Sequence, residues 1–262
     1  MGTQPDETQL KILVAAHKPY WMPSDPCYIP VQVGAAQHAH IEGYAHDDTG
    51  DNISSQNPRY CELTALWWGW RNLDCDYLGL VHYRRHFAGK GERGTLKGEE
   101  VWQRISHDSV IVAKHRNYMI ETIYSHYKHT FDPDGSQLTA LRASIKTVSP
   151  SKLQTYDRFM AGRCGHMFNM CIMPRHLLDP YCTWMFNVLK CAEKNIDFSD
   201  MDDFAARCMG RLSERLLDVW LMSEGVEAVE IPVKNLEGDN LLRKGTAFLA
   251  AKFFGKTYKK SF

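Results

Sequence analysis

The segment Asp76–Phe87, DYLGLVHYRRHF, constrains the fold more than any other part of the chain. Tyr77 to Val81 is apolar without interruption and has no helical period, the pattern of a strand covered on both faces of a sheet. It runs directly into His82, Tyr83, Arg84 and Arg85. Open α/β sheets bind ligands beyond the carboxyl ends of their strands. Two guanidiniums and an imidazole at such an end suit an anion, phosphate first, because the planar guanidinium meets its oxygens in pairs. An ordinary polar loop after a core strand has the same composition, so spacing alone leaves both readings open.

The neighbouring segments build an alternating α/β order. Residues 11–16, KILVAA, predict a first strand that ends at His17-Lys18-Pro19. Pro19, Pro23, Pro26 and Pro30 predict a loop after it. Asp47–Asn57, DDTGDNISSQN, is turn-rich and leads into a helix over 58–73, with Leu63, Leu66, Trp67 and Trp70 at helical spacing. Strand, loop, helix and strand in that order are typical of α/β proteins. Residues 88–96 are rich in glycine and charge and predict a mobile loop. Further strands are expected over 110–113, 166–173 and 228–233. Three helices are expected between about 119 and 161, with a turn at Asp132-Pro133-Asp134-Gly135, and two more near 175–193 and 204–223.

Composition narrows the function classes. At 262 residues the chain can bury one large core with a helical appendage. Lys plus Arg and Asp plus Glu are equal at 31 each, so no global field favours nucleic acid, and any anion site is local. The amino-terminal MGTQPDETQL lacks a signal-peptide core, and no apolar run approaches the roughly 20 residues of a membrane span. The 8 cysteines form no CxxC pair and no zinc-ligand spacing; Cys61, Cys171 and Cys182 read as buried thiols. A cytoplasmic protein is the expectation.

Several polar residues stand out from apolar surroundings. His166 and Asn169 interrupt the run HMFNMCIM, so each needs a hydrogen-bond partner in the core or a place on a pocket wall. In a helix over 208–222, Arg211, Glu214, Arg215 and Asp218 share one face, which also fits a solvated, salt-bridged surface. Glu62 lies at the start of the 58–73 helix, where a carboxylate complements the helix dipole, and is read as structural.

Five blocks resemble a known family: ILVAAHKPYWMP (12–23), NISSQNPRYCELTALWWGWRN (52–72), DYLGLVHYRRHF (76–87), GHMFNMCIMPRHLLDPYCTWMF (165–186) and GRLSERLLDVWL (210–221). The family comprises bacterial capsular and exopolysaccharide glycosyltransferases long catalogued only as a domain of unknown function, some linked to galactofuranose transfer. The resemblance spans about 11–233. It implies a GT-A-like, Rossmann-like α/β fold, a single sheet flanked by helices with a helical insertion around 119–161. It also implies a UDP-sugar donor and a lipid-linked saccharide acceptor, with no nucleic acid partner.

On that resemblance, Ala15, Ala16, His17 and Lys18 hold the nucleotide with Asp51, Asn52, Ser54 and Asn57, although the 51–57 stretch also reads as a loop of Asx and Ser turns. His82, Tyr83, Arg84 and Arg85 hold the diphosphate. GT-A enzymes commonly bind Mn²⁺ or Mg²⁺ through an Asp-x-Asp. Asp74-Cys75-Asp76 has that form but precedes its strand and reads as a helix-to-strand turn, and the arginines occupy the metal motif's place. No metal requirement is therefore expected. His166, Asn169 and Glu214 are assigned to the acceptor, with Glu214 as its general base and Asp202 and Asp203 as alternatives. A non-catalytic sugar-nucleotide or polysaccharide binder and a nucleotidyltransferase are the rival readings.

The division expected is a transferase domain over 1–241 and a basic aromatic tail over 242–262. Phe248, Leu249, Phe253 and Phe254 with Arg243, Lys244, Lys252, Lys256, Lys259 and Lys260 suit an anionic membrane surface, peripheral on the inner face of the plasma membrane. A terminal helix packed on the domain fits the same pattern.

Overall fold

The structure, a computed structural model, describes residues 9–237. The tail over 242–262 and the boundary at 241 lie outside the described residues. The strands are β1 (Leu10–Ala16), β2 (Tyr28–Gln32), β3 (Ala45–His46), β4 (Tyr77–His82), β5 (Arg85–Phe87), β6 (Ser109–Ala113), β7 (Arg116–Asn117), β8 (Cys164–Gly165), β9 (Cys171–Pro174), β10 (Glu227–Ile231) and β11 (Val233–Asn235). The helices are α1 (Asn57–Tyr60), α2 (Leu63–Asn72), α3 (Gly98–Trp102), α4 (Ile123–Phe131), α5 (Ser136–Val148), α6 (Leu153–Ala161), α7 (Arg175–Glu193), α8 (Asp203–Ala206), α9 (Cys208–Ser213) and α10 (Leu216–Glu224).

One mixed sheet of order β10-β6-β9-β4-β1-β2-β3 forms the centre, with β5 folded back on β4 and paired to β11. Strands β1, β2, β3 and β4 are mutually parallel. β9 runs antiparallel to β4 and β6, and β10 is parallel to β6. The carboxyl ends of β1 to β4, β6 and β10 therefore share one edge with the amino end of β9. The sheet is buried on both sides, which explains its unbroken apolar runs. Leu13, Ala15, Leu78, Leu80, Val110 and Val112 face the core made with α2, α5 and α7. Ile12, Val14, Val81, Ile111 and Ile172 face a smaller core closed by Leu96 and Val101. A single helix-flanked sheet, with α4, α5 and α6 between residues 123 and 161, is the architecture the resemblance implies.

Five expectations are corrected. The proline-rich stretch contains β2. Val33 N–H donates to Ala16 O at 2.9 Å, so strand alternation turns the Pro30 nitrogen away from β1, and β3 pairs only Val31 and Gln32. The 58–73 helix is broken at Cys61, whose φ is 51°. Asn57 Nδ2 donates to Cys61 O at 2.8 Å, holding that kink. The 166–173 strand is only Cys171–Pro174, because Phe168 (φ 79°) and Asn169 (φ 53°) turn the chain before it. The 204–223 helix is three pieces, and Pro232 divides the last strand into β10 and β11. Among the described residues, no helix is long and apolar enough to cross a membrane.

Candidate functional site: a cationic crevice beside a buried carboxylate

The β1 and β4 ends meet at the shared edge. Ala15 lies opposite His82, and Tyr83 N–H donates to Ala15 O at 3.0 Å. Tyr83 stacks on Tyr20 with ring centroids 3.8 Å apart, and His17 meets both edge-on. Lys18 Nζ stands 5.2 Å from the centre of the Tyr20 ring. Arg84 lies 5.6 Å from the Tyr83 ring centre and pairs with Glu237 at 3.7 Å. Arg85 stacks over Phe168 at 4.7 Å.

Electrostatics follow from this crowding. Burial, then the guanidiniums of Arg85 and Arg84, hold the His82 pKa well below its ordinary value. Its Nδ1 has no hydrogen-bond partner among the described residues. Burial lowers the His17 pKa as well, reinforced by Lys18, Arg207 and Arg84. Both imidazoles are thus neutral near pH 7, while Lys18, Arg84, Arg85 and Arg207 converge as cations. A bound polyanion would relieve this repulsion. Ala16, His17, Lys18, His82, Tyr83, Arg84 and Arg85 are brought together as the sequence predicts.

Glu62 is the residue that sequence reasoning missed. It is half-buried at the start of α2, and Asn169 Nδ2 donates to its Oε1 at 2.7 Å. Asn169 Nδ2 also donates to Gly210 O at 2.9 Å, and Ser213 Oγ donates to Asn169 Oδ1 at 2.8 Å. Burial pushes the Glu62 pKa up to about 7 against the Asn169 hydrogen bond, with Glu214 raising it further and Arg85 lowering it. It is a half-buried carboxyl held by a residue of the loop before β9, which a helix-dipole role does not require. The sequence carries no signal for it, because the Cys61 kink that places this carboxylate is visible only in three dimensions.

Glu214 closes the far side. Its Oε2 accepts from Arg215 Nη1 at 3.1 Å, and Arg215 is only 2% exposed, its guanidinium 5.2 Å from the Tyr127 ring centre. The charged face of this segment therefore points inward: Arg215 and Asp218 are both buried. Glu214 and Glu62 are both among the charges that act on Arg85.

Other predicted residues are engaged elsewhere. His166 Nδ1 lies 2.5 Å from Asp218 Oδ1 and its Nε2 lies 3.0 Å from Glu230 Oε1, which also meets His115 at 2.6 Å. Burial opposes the charged imidazolium, but the two carboxylates outweigh it and raise the His166 pKa. With both nitrogens occupied, His166 ties the chain before β9 to α10 and β10. Asp51 accepts from Trp67 Nε1 at 2.9 Å and Arg71 Nε at 2.8 Å, near the end of α2 that leads to the opposite edge. Asn52 closes its own turn onto Asp48 O, Gly50 O and Ser54 N, and Asn57 braces the Cys61 kink. Asp74 and Asp76 precede β4, at the edge away from the crevice, as expected. Asp202 caps α8 through Ala205 N–H at 2.7 Å. Two groups of metal-ligating side chains, His40 with His46 and Asp48, and His107 with Asp108 and His176, lie among the described residues, and neither includes a crevice residue.

Among curated proteins, no sequence matches the chain. Among solved structures, the chain is similar to the apo form of WbbM, a bifunctional glycosyltransferase, at 25% identity and a TM-score of 0.77. The match covers 88% of this chain and 46% of that one, so the chain spans about half the length of that protein. The sheet and its flanking helices are thus the GT-A-like arrangement expected. The family described as Domain of unknown function (DUF4422) matches residues 11–225, which takes in every residue of the crevice from Ala16 to Glu214, and the chain belongs to that family.

Proposed function

We propose that the protein is a glycosyltransferase that moves a sugar from a UDP-sugar donor to a saccharide acceptor in capsule, exopolysaccharide or O-antigen synthesis. Galactofuranose is the first sugar to test, and a lipid-linked saccharide the acceptor class. The observation that carries this reading is the meeting of Lys18, Arg84 and Arg85 with neutral His17 and His82 at a sheet edge, directly beside two carboxylates. In this reading the arginines hold the diphosphate and neutralise the charge that develops on it as the glycosidic bond breaks. Glu214 and Asn169 stand on the acceptor side of Arg85, and Tyr83 and Tyr20 wall the nucleoside side. The guanidiniums and the Lys18 ammonium can offset diphosphate charge as a bound metal ion would. The similarity to a glycosyltransferase structure supports the class, and the converging cations support a diphosphate-bearing donor.

A thermal-shift screen against UDP, GDP, CDP and dTDP sugars tests it, since a ligand that binds only the native state raises apparent stability by mass action. The expected result is selective stabilisation by UDP compounds together with release of free UDP from a UDP-sugar. Binding without release favours a non-catalytic sugar-nucleotide binder, and no binding by any nucleotide removes the proposal.

A further inference from the structure

The charges of Glu62 and Glu214 both act on Arg85, but their surroundings suit them to different work. Glu214 is paired to a guanidinium that is itself buried. That ion pair, 3.1 Å long, engages Glu214 Oε2 with Arg215 Nη1. Glu62 has no such partner. Its hydrogen-bond donor is the neutral amide of Asn169, whose oxygen is fixed by Ser213 Oγ at 2.8 Å. Asn169 itself is held by Gly210 O at 2.9 Å, so its amide has little freedom to rotate.

The backbone around Glu62 is also unusual. Among the described residues, 5 non-glycine residues have positive φ, and Cys61, Phe168 and Asn169 are three of them. Cys61 precedes Glu62, Asn169 is its donor, and Phe168 carries the Arg85 guanidinium. Cysteine and phenylalanine rarely adopt this conformation, and backbone strain gathers where surrounding structure must aim a functional group.

We propose that Glu62 is the base that takes the proton of the acceptor hydroxyl, and that Asn169 and Ser213 are positioning residues that aim it. The assignment rests on the transferase reading above. In the step, the acceptor O–H gives its proton to the Glu62 carboxylate while its oxygen forms a bond to the anomeric carbon. The bond from that carbon to the diphosphate oxygen breaks, and its electron pair leaves on UDP, beside Arg84 and Arg85. Glu214, held by Arg215, orients the acceptor. A base works best with a pKa near the operating pH, and burial brings Glu62 to about 7. The titratable groups facing it are Arg85 from β5, Glu214 from the end of α9, and the thiol of Cys61 on its own segment.

The test uses the full chain, with UDP affinity from calorimetry and UDP release from UDP-galactose or UDP-galactofuranose, water or octyl galactoside serving as acceptor. Glu62→Gln should bind UDP within about twofold of wild type and lose about 10²–10⁴ in kcat. Glu214→Gln should raise the acceptor KM more than it lowers kcat. Asn169→Ala removes a hydrogen bond that favours the ionised Glu62, so the acid limb of the kcat/KM profile should move to higher pH. Ser213→Ala should move it less, in the same direction. Wild-type kcat in a Glu62→Gln protein that still binds UDP overturns the assignment. So does an acid limb unmoved in Asn169→Ala and Ser213→Ala, which also decides the matter if Glu62→Gln does not fold. Absence of UDP release by wild type overturns the transferase reading, and this assignment falls with it.

Discussion

Arg84 and Arg85 are adjacent in one hairpin turn yet sit in different environments. Arg84 is paired to Glu237, whereas Arg85 lies over Phe168 and feels the charges of Glu62 and Glu214. Charge-assisted hydrogen bonds are worth roughly 1.5–3 kcal/mol each. Arg84→Ala should therefore weaken UDP binding about tenfold or more, and the Arg84→Ala/Arg85→Ala protein further still, with folding retained. Unchanged UDP affinity in calorimetry of the double variant would remove the diphosphate assignment. The histidines supply a second residue-scale prediction. Burial holds fully enclosed His86 at about 4, below its ordinary 6.5, so its neutral form stabilises the fold above pH 6.5. That contribution falls as pH drops from 6.5 toward 4, because the unfolded chain binds the proton more readily. Between pH 7 and pH 5 the loss is about 2 kcal/mol. His166 has the opposite sign: its pKa is raised, so its contribution is complete at low pH and fades as pH rises through the folded value. Urea unfolding of His86→Phe should show a shallower acid decline than wild type by about that amount, and parallel curves would contradict the account.

At the scale of elements, the site depends on how closely β4 packs between β1 and β9. A Cβ at Gly79 would stand 2.9 Å from Ile172 Cγ1, 3.2 Å from Cys171 O and 3.3 Å from Ile12 Cγ1. Overpacking of this kind typically costs about 1–3 kcal/mol. Gly79→Ala should lower the urea midpoint accordingly and, by shifting β9 against β4, move Asn169 relative to Glu62. Unaltered stability would mean that the strands separate more easily than this packing implies. The loops at the edge are held by similarly specific means. Buried Asp47 accepts from Gly34 N–H and Ala35 N–H at 2.9 Å each and from Ser54 Oγ at 2.5 Å, which fixes the turn that follows β2. The helices over 58–73 and 204–223 were legible as helical by spacing. Their breaks were not, because Cys61 turns under the joint hold of Asn57 and the close approach of Gly210, groups distant in sequence from one another.

For the whole molecule, the edge away from the crevice carries Asp74 and Asp76 and the one near it carries the cations, so the field is local although net charge is zero. Transfer to a lipid-linked acceptor would be helped by holding enzyme and substrate on one surface, and the basic aromatic tail suits that role. Liposome co-sedimentation should recover the full chain with anionic vesicles and leave a chain ending at Leu241 in the supernatant. Equal recovery of both, or of neither, would exclude the tail as the membrane attachment.

Residue order by itself determined the strand that ends in His82-Tyr83-Arg84-Arg85, the first strand ending in His17-Lys18, the α/β alternation and the helical region expected over about 119–161, observed from Ile123. These rest on local hydrophobic periodicity and on which residues follow a strand end, and both are written in the chain. Tertiary structure alone decided that Glu62 is held by Asn169, that His166 has both nitrogens occupied, that Asp51 belongs to the end of α2, and that the face bearing Arg215 is buried. Each of these depends on a partner more than 15 positions away in sequence or on burial by another element, and a carboxylate's role is set by the dielectric and the donors around it.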